Sequence, residues 1–346
     1  MKIPTGIEGD YIETKSDNFF FDVKGVHHPS DRKICFIRFY PHLNGDRIKN
    51  GKKYKKIYDL QERFSFLRKH HPKYLFFSKE FDIELQCVKN EDIKKIYTPR
   101  EYYKELSQKF NPDRLEKCSK DLCELFIEKA MLPHGSIGIT GSQMVGLSKN
   151  QSDIDLIIYG TDISRNFQNK LPIILEKDQY CRKYTKEEYH NHYEWRVGGS
   201  RIPFENFLKS ERRKLHQGMY KEFEFFIRYI KSPKDWKGTY YDYSYKNMGR
   251  IKLKAEIIDD SNAIFTPCSY KIDGIKVYNN KYISKKIKLD DIMMVTSFRG
   301  RFCEHAIKGE KVLVEGKLEK VIFRNNKEYF RILLTDQKQD KMMILE

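Results

Sequence analysis

His134-Gly135-Ser136-Ile137-Gly138-Ile139-Thr140-Gly141-Ser142-Gln143-Met144-Val145-Gly146-Leu147-Ser148-Lys149-Asn150-Gln151-Ser152-Asp153-Ile154-Asp155-Leu156-Ile157-Ile158-Tyr159-Gly160 decides how the chain is organised. It opens with a short apolar, glycine-dotted run of the kind that forms a buried strand, and reaches a Gly-Ser turn. It closes with Asp153-Ile154-Asp155 at the head of a second apolar run, Leu156 to Tyr159. Strand side chains alternate between faces, so Asp153 and Asp155 share one face while Ile154 points into the core. Two carboxylates side by side repel each other, and a hard divalent cation that takes oxygen ligands relieves the repulsion. A bare Asp-x-Asp is more often a solvated edge strand with two surface aspartates than a metal site. What adds to it is the small-residue turn upstream, whose backbone N–H groups are free to cradle phosphate; a helix starting there would add its positive end. The residues from Gln143 to Ser152 leave room for a short helix and a return into the next strand.

Gly141-Ser142, ten intervening residues, and Asp153-Ile154-Asp155-Leu156 resemble the signature of the DNA polymerase β-like nucleotidyltransferase superfamily. The resemblance implies that Gly141 and Ser142 bind the phosphates of a nucleoside triphosphate, and that Asp153 and Asp155 hold two divalent ions, Mg2+ or Mn2+. Gly135-Ser136 is separated from Asp153 by sixteen residues, too many for that pattern. The resemblance also implies a third carboxylate on a strand flanked by hydrophobic residues, because two metals need more than two carboxylates to stay in register. Phe223-Glu224-Phe225-Phe226-Ile227-Arg228-Tyr229-Ile230 matches best. Glu224 is therefore assigned as the third catalytic and metal-binding carboxylate, with Glu256 in Ile251 to Ile258 as the alternative. A Glu where the superfamily commonly carries Asp is a departure. On a strand Arg228 projects from the same face as Glu224, where it could meet a phosphate.

The chain has 346 residues, enough for two or three domains. Hydrophobic content of 39% and aromatic content of 14% supply ample core and argue against disorder. Lysine and arginine outnumber acidic residues 66 to 49, a net charge of +17. Such an excess favours a polyanionic partner, nucleic acid or nucleotide, although Lys and Glu in this abundance also suit an ion-paired thermophilic surface. The cysteines are scattered and never form C-x-x-C, which points away from a disulfide framework or structural zinc and toward a reducing cytoplasm. Met1 to Asp10 carries Lys2, Glu8 and Asp10 and no apolar core of a signal segment, and no run approaches eighteen apolar residues, so no membrane partner is expected.

Three domains are expected: an N-terminal α+β module over 1–100, a nucleotidyltransferase domain over 101–248, and a β-rich, barrel-like domain over 249–346. In the first, Asn18 to Val23, Ile34 to Tyr40, Tyr74 to Phe77 and Phe81 to Cys87 read as strands, and a helix runs from Asp59 to His70-His71-Pro72. Lys49 to Lys56 reads as a basic linker, and the module carries no catalytic constellation. Its His27-His28 and His70-His71 pairs read as loop residues, because adjacent side chains diverge. Asn111-Pro112-Asp113 predicts a helix start with Asn111 as cap, and Pro133 its end. Asp162 to Leu175 and Tyr180 to Glu188 read as helices, the first broken early at Pro172. His190 and His192 would share a face on a strand, where solvation is the commoner fate than metal binding. Phe204, Phe207, Leu208 and Leu215 mark an amphipathic helix whose other face carries Lys209, Arg212, Arg213 and Lys214, a surface able to follow a phosphate backbone. Toward the C-terminus, Val312 to Phe323 and Tyr329 to Leu334 form a hairpin around Arg324-Asn325-Asn326-Lys327. Ser297-Phe298-Arg299-Gly300-Arg301-Phe302-Cys303 places arginines between aromatics, a composition that suits base stacking or, equally, a barrel corner.

The whole arrangement resembles an uncharacterised archaeal group of predicted nucleotidyltransferases. The expected fold is α+β, with a mixed sheet and flanking helices at the polymerase-β-like core. The expected activity is metal-dependent transfer of a nucleoside monophosphate from an NTP to a hydroxyl, with RNA or another nucleic acid as the favoured acceptor. The alternatives are an inactive nucleotidyltransferase-fold module that binds RNA, and a regulator that nucleotidylates a partner protein.

Overall fold

Aromatic strands build the first sheet. Its members are β1 (Tyr11–Thr14), β2 (Phe20–Val23), β3 (Arg32–Pro41), β4 (Arg47–Lys49), β5 (Lys52–Lys56), β6 (Leu75–Ser78), β7 (Ile83–Lys89) and β8 (Ile93–Tyr97). The computed structural model describes residues 4–197, 199–279, 287–324 and 326–345; Lys2 and Asn325 of the sequence reading lie outside them. The hydrogen-bonded order is β4-β5-β3-β2-β1-β8, with β7 paired to β3 and β6. One face buries Ile12, Phe21, Cys35 and Ile37 against Leu67 of helix α1 (Leu60–His70). The other face buries Tyr11, Phe20, Phe39 and Tyr54 against Met144, Val145 and Leu147. Phe21 pairs with Ile37, and the next residue back, Phe20, pairs with Phe39. Arg38 is thus the extra residue of a β-bulge, which breaks the alternation and sends Ile37 and Phe39 to opposite faces.

The run from Lys49 to Lys56 is a hairpin, not a linker. Strands β4 and β5 pair Lys49 with Lys52 around Asn50 and Gly51, whose φ angles are 49° and 74°. Two positive φ angles are the requirement of the two-residue turn that matches strand twist, and Asn-Gly meets it. The lysines hid an alternation in which Tyr54 alone is buried.

The second sheet is mixed. It follows α2 (Pro99–Ser107) and α3 (Arg114–Ala130) and contains β9 (Ile137–Ile139), the single turn α4 (Gly141–Met144), β10 (Ile154–Tyr159), α5 (Thr161–Lys177), β11 (Cys181–Arg182), β12 (Gln217–Tyr220) and β13 (Phe223–Ile230). The strand order is β11-β12-β13-β10-β9, with β10 parallel to β13 and antiparallel to β9. Helices α3 and α5 meet through Phe126 and Phe167, 5.1 Å between ring centres, and each reaches the sheet, at Phe225 and Tyr229. The cap of α3 is Asp113, two residues later than Asn111. Its carboxylate accepts the Glu116 N–H while the Glu116 carboxylate accepts the Asp113 N–H, so two orphan donors are satisfied at once. Helix α5 runs through Pro172: burial of Phe167, Leu171, Ile174 and Leu175 holds the turns on either side together. Tyr180 to Glu188 is not a helix. It splits into β11, which pairs Cys181 with Tyr220, and the start of the next helix.

Met1–Ser78, Ile83–Arg182 and His216–Tyr240 form one compact unit, which holds both of these sheets; Lys79–Asp82, Lys183–Leu215 and Tyr241–Glu346 form a second. The second unit contains α6 (Lys186–Val197), α7 (Phe204–Glu211), β14 (Tyr243–Asn262), β15 (Cys268–Asn279), β16 (Ile292–Ser297), β17 (Lys311–Phe323), β18 (Lys327–Leu334) and β19 (Lys341–Ile344). Its strand order is β14-β15-β16-β18-β17-β19, and β14 also pairs with β17, so the sheet curls back on itself around Leu253, Ile257, Val314, Leu318 and Ile332. Strands β17 and β18 form the expected hairpin. Asp273-Gly274 lies inside β15, where Asp273 pairs with Glu256. The fold is α+β throughout, with a half-barrel in the second unit.

Candidate active site on the mixed sheet

Strand β9 ends at Ile139, and the N–H of Thr140, which follows it, donates to the Asp155 carbonyl at 2.8 Å. This bond ties the turn to β10. The next residue, Gly141, has φ +77°, and a Cβ there would strike Asp155 Oδ2. Only glycine lets the turn lie directly against that carboxylate without strain. The one-turn helix α4 follows, and the Leu147 N–H returns to the Ser142 carbonyl at 2.9 Å. Gln143 is buried in this turn, and neither atom of its amide has a hydrogen-bond partner. A buried amide in that condition is costly to the protein alone.

Parallel pairing brings the third carboxylate to the same place. Ile154 is level with Phe225 and Asp155 with Phe226, so by continuation Asp153 is level with Glu224. Residues level with one another on parallel strands share a face, and Asp153, Asp155, Glu224, Phe226 and Arg228 therefore all project from one side of the sheet. Asp153 and Glu224 are exposed and Asp155 is half-buried. Glu256 stands on β14 in the other unit. Among the described residues no group of three or more His, Cys, Asp or Glu side chains is gathered closely enough to hold a metal ion. What the face does carry is carboxylate oxygens beside a turn that leaves a buried amide unsatisfied. Arg228 is largely engaged within the protein, its guanidinium 2.8 Å from Glu8 and 3.8 Å from Asp22. Against the cost of burial, those two acids and Asp155 raise its pKa.

The first sheet supplies residues that sequence reasoning missed. Its face carrying Tyr11, Phe20, Phe39 and Tyr54 packs on Met144, Val145 and Leu147, immediately beyond Gly141-Ser142. Arg47 donates to the Leu147 carbonyl, Lys49 Nζ donates to the Val145 carbonyl at 2.8 Å, and Thr140 Oγ1 donates to the Gly9 carbonyl. Asp22 sits on this same face, 2.8 Å from Lys24. Burial alone would raise its pKa; Lys24, Arg228 and Arg38 outweigh that and hold it low. The bulged Arg38 feels the charges of Tyr11, Asp22 and Asp155. Lys56, opposite Phe39 in the β3–β5 ladder, is brought down to about 8 by burial and by Arg38 and Arg47, against the opposing pull of Asp155 and Asp153. The signal for these residues was present: Asp22 follows Phe19-Phe20-Phe21, and Arg38 interrupts Ile37 and Phe39, charges within strands that are otherwise apolar.

The remaining sequence candidates take structural places. His190 and His192 lie on helix α6, not a strand, where His190 stacks on Phe204 at 3.8 Å and His192 is buried. Of the cationic face expected around α7, Arg213 and Lys214 are occupied within their own unit, while Lys209 and Arg212 are exposed. Lys214 is fully buried with Glu211 and donates to the Arg301 carbonyl at 2.6 Å, and Arg213 holds Glu310 by two bonds at 2.6 and 2.7 Å. Arg299 donates to the Thr335 carbonyl at 2.9 Å, and Arg301 to the carbonyls of Arg196, Gln337 and Asp340. The arginine–aromatic stretch is a barrel corner. His71 lines a cleft of about 500 Å³ with Phe19, Tyr40, His42 and Phe66, on the α1 side of the first sheet, away from Asp155.

All of the cysteines are buried and unpaired. Among the described residues no helix is long and apolar enough to cross a membrane. No family model matches the chain, and no solved structure does. The chain is 28% identical over 335 residues to the uncharacterized protein MJ1086 of the archaeon Methanocaldococcus jannaschii, covering 94% of each, and is thus similar to that archaeal protein along nearly its whole length.

Proposed function

We propose that this protein is a divalent-metal-dependent nucleotidyltransferase that moves a nucleoside monophosphate from an NTP to a hydroxyl acceptor. The observation that carries the reading is the contact of the Gly141 turn with the Asp155 carboxylate, on a face shared with Asp153 and Glu224. A phosphate-cradling turn and a row of carboxylates meet there, as the resemblance of the motif implies. Mg2+ or Mn2+, when bound, would lower the pKa of the acceptor hydroxyl and neutralise the leaving pyrophosphate. Asp153, Asp155 and Glu224 would hold it. Gly141 and Ser142 offer backbone N–H groups and a hydroxyl to the phosphates, which fixes the α-phosphorus in line with the acceptor. The acceptor oxygen bonds to the α-phosphorus as the bond to the β-phosphate oxygen breaks; the hydroxyl proton leaves to the carboxylate cluster. RNA is the favoured acceptor. Beyond the net charge of +17, the second unit's curled sheet, with β16 parallel to β18 and β14 paired to both β15 and β17, has the strand order of five-stranded Greek-key barrels, an architecture suited to single-stranded nucleic acid.

The test is label transfer from each of the four α-labelled NTPs, with Mg2+ or Mn2+, to RNA, to protein or to no added acceptor. Asp153→Asn/Asp155→Asn is run beside the wild type. Transfer that disappears in the double variant is expected. Label moving to protein without RNA would reassign the acceptor to a partner protein. No transfer under any condition, with salt-sensitive RNA binding that ignores metal, would replace the enzyme by a binding module.

A further inference from the structure

We infer that the N-terminal sheet is half of the active site, and that Arg38 and Lys56 on it form the subsite for the β- and γ-phosphates of the nucleotide. This rests on the nucleotidyltransferase reading of Asp153 and Asp155. The geometry begins with the bulge in β3. A regular strand would place Arg38 on the face opposite Ile37 and Phe39 together; here Ile37 faces α1 while Phe39 faces the Gly141 turn. Bulges re-aim side chains and are enriched beside active sites. Arg38 lies where Tyr11, Asp22, Asp155 and Arg228 act on it electrostatically, and its Nε is buried without a hydrogen-bond partner. Asp22, 4% exposed, likewise has one carboxylate oxygen, Oδ1, with no hydrogen-bond donor. Lys56 stands across the ladder from Phe39, on the side of the sheet that packs on the turn, and both Asp153 and Asp155 act on it.

Four neighbouring cations are already committed. Arg47 and Lys49 hold the carbonyls of Leu147 and Val145, Arg228 holds Glu8, and Lys24 holds Glu8 and Asp22. Asp155 attracts Arg38, and Asp155 and Asp153 together attract Lys56, without a direct ion pair being formed among the described contacts. Two cations set beside two carboxylates, with donor capacity left over, suit a ligand that is itself a metal-bridged polyanion. A triphosphate would bring its own negative charge to the arginine fork and the lysine while its metal faces Asp153 and Asp155. A monophosphate would lack the atoms that reach them.

The experiment titrates the magnesium complexes of ATP, GTP, CTP and UTP, and of the corresponding monophosphates, into the full-length protein by calorimetry. Wild type, Arg38→Gln, Arg38→Lys, Lys56→Met and the Arg38→Gln/Lys56→Met double variant are compared, with circular dichroism to confirm folding. The expected result is a wild type that prefers one or more triphosphates over the monophosphate. Each neutral variant then loses about 10-fold in triphosphate affinity and the double variant about 100-fold, monophosphate binding holds within about 2-fold, and Arg38→Lys recovers part of the loss. Folded variants that bind triphosphate like the wild type would overturn the subsite and leave the nucleotidyltransferase reading standing. A wild type that binds none of the four triphosphates would remove both. If Arg38→Gln fails to fold, Lys56→Met and Arg38→Lys decide on the same criterion.

Discussion

Two groups of cations in this protein, each an arginine with a lysine, have the same composition and opposite circumstances. In the second unit, Arg301 is buried and spends its guanidinium on three backbone carbonyls, with Lys214 locked to Glu211 nearby. Burial, with Arg299 and Arg196 close by, pushes the Arg301 pKa down to about 10, still charged at neutral pH. In the first unit, Arg38 has a buried Nε with no hydrogen bond and lies in the field of Asp22 and Asp155 without a direct ion pair among the described contacts. A buried cation with every donor used is a fastener; one with donors to spare is a place for a ligand. Net charge cannot separate the two, because both contribute equally to +17.

The comparison is tested most severely at Arg301. Arg301→Ala leaves several carbonyls unpaired and a cavity among Arg196, Glu211 and His305, and is expected to cost about 4 kcal/mol in urea unfolding. Triphosphate affinity of the folded fraction should not change. A stable Arg301→Ala protein with weakened nucleotide binding would invert the assignment.

Asp10 gives a pH test of the first unit. Its Oδ2 accepts the N–H groups of Gly6 and Ile7 at 2.7 and 3.2 Å. Burial, aided by Glu101 and opposed by those bonds and by Arg100, lifts its pKa to about 7. Between about pH 4 and pH 7 the unfolded chain therefore releases this proton while the folded one keeps it. Stability attributable to Asp10 falls as pH rises across that window, by an amount on the order of 4 kcal/mol. Asp10→Asn, which keeps an oxygen for both N–H groups, should flatten that slope and be at least as stable as wild type at pH 8. A slope that survives the substitution would assign it to another group.

Gly141→Ala combines a left-handed φ with a Cβ that meets the Asp155 carboxylate. It is expected to lower stability by about 2 kcal/mol and to abolish transfer, because relief of the clash must move Asp155. An alanine variant with full transfer activity would break the link between the turn and the carboxylate. The smallest effect is at Gly51, in the β4–β5 turn at φ 74°. Gly51→Ala should cost about 1 kcal/mol and, because Lys56 lies on β5, weaken triphosphate binding slightly if the hairpin shifts.

Much of the site was legible along the chain. Gly141, Ser142, Asp153 and Asp155 lie within one strand–turn–strand, so their spacing alone places the turn beside the carboxylates. Glu224 was reached by its apolar flanks, and the parallel β10–β13 register brings it level with Asp153. The cap of α3 was misplaced by two residues because Asn111 and Asp113 are both good caps, and only the reciprocal bond with Glu116 chooses between them. The run from Lys49 to Lys56 reads as a linker on its five lysines, whereas Asn50-Gly51 within it dictates a hairpin whatever flanks it.

What the sequence by itself determined is local: the strands with their period of two, the turn that needs glycine, the helix with its acidic start, and a pair of carboxylates on one face. Those follow from backbone sterics and side-chain alternation within a few residues. Tertiary structure alone decided that the N-terminal sheet turns its Tyr11–Phe20–Phe39 face toward the Gly141 turn and brings Arg38 and Lys56 into the field of Asp155. It also decided that the arginines around Phe302 are fasteners. Both outcomes depend on contacts between residues a hundred or more positions apart, or on a single bulge that reverses which face a side chain takes. Neither leaves a period in the sequence, because long-range packing selects among faces that local geometry leaves equivalent.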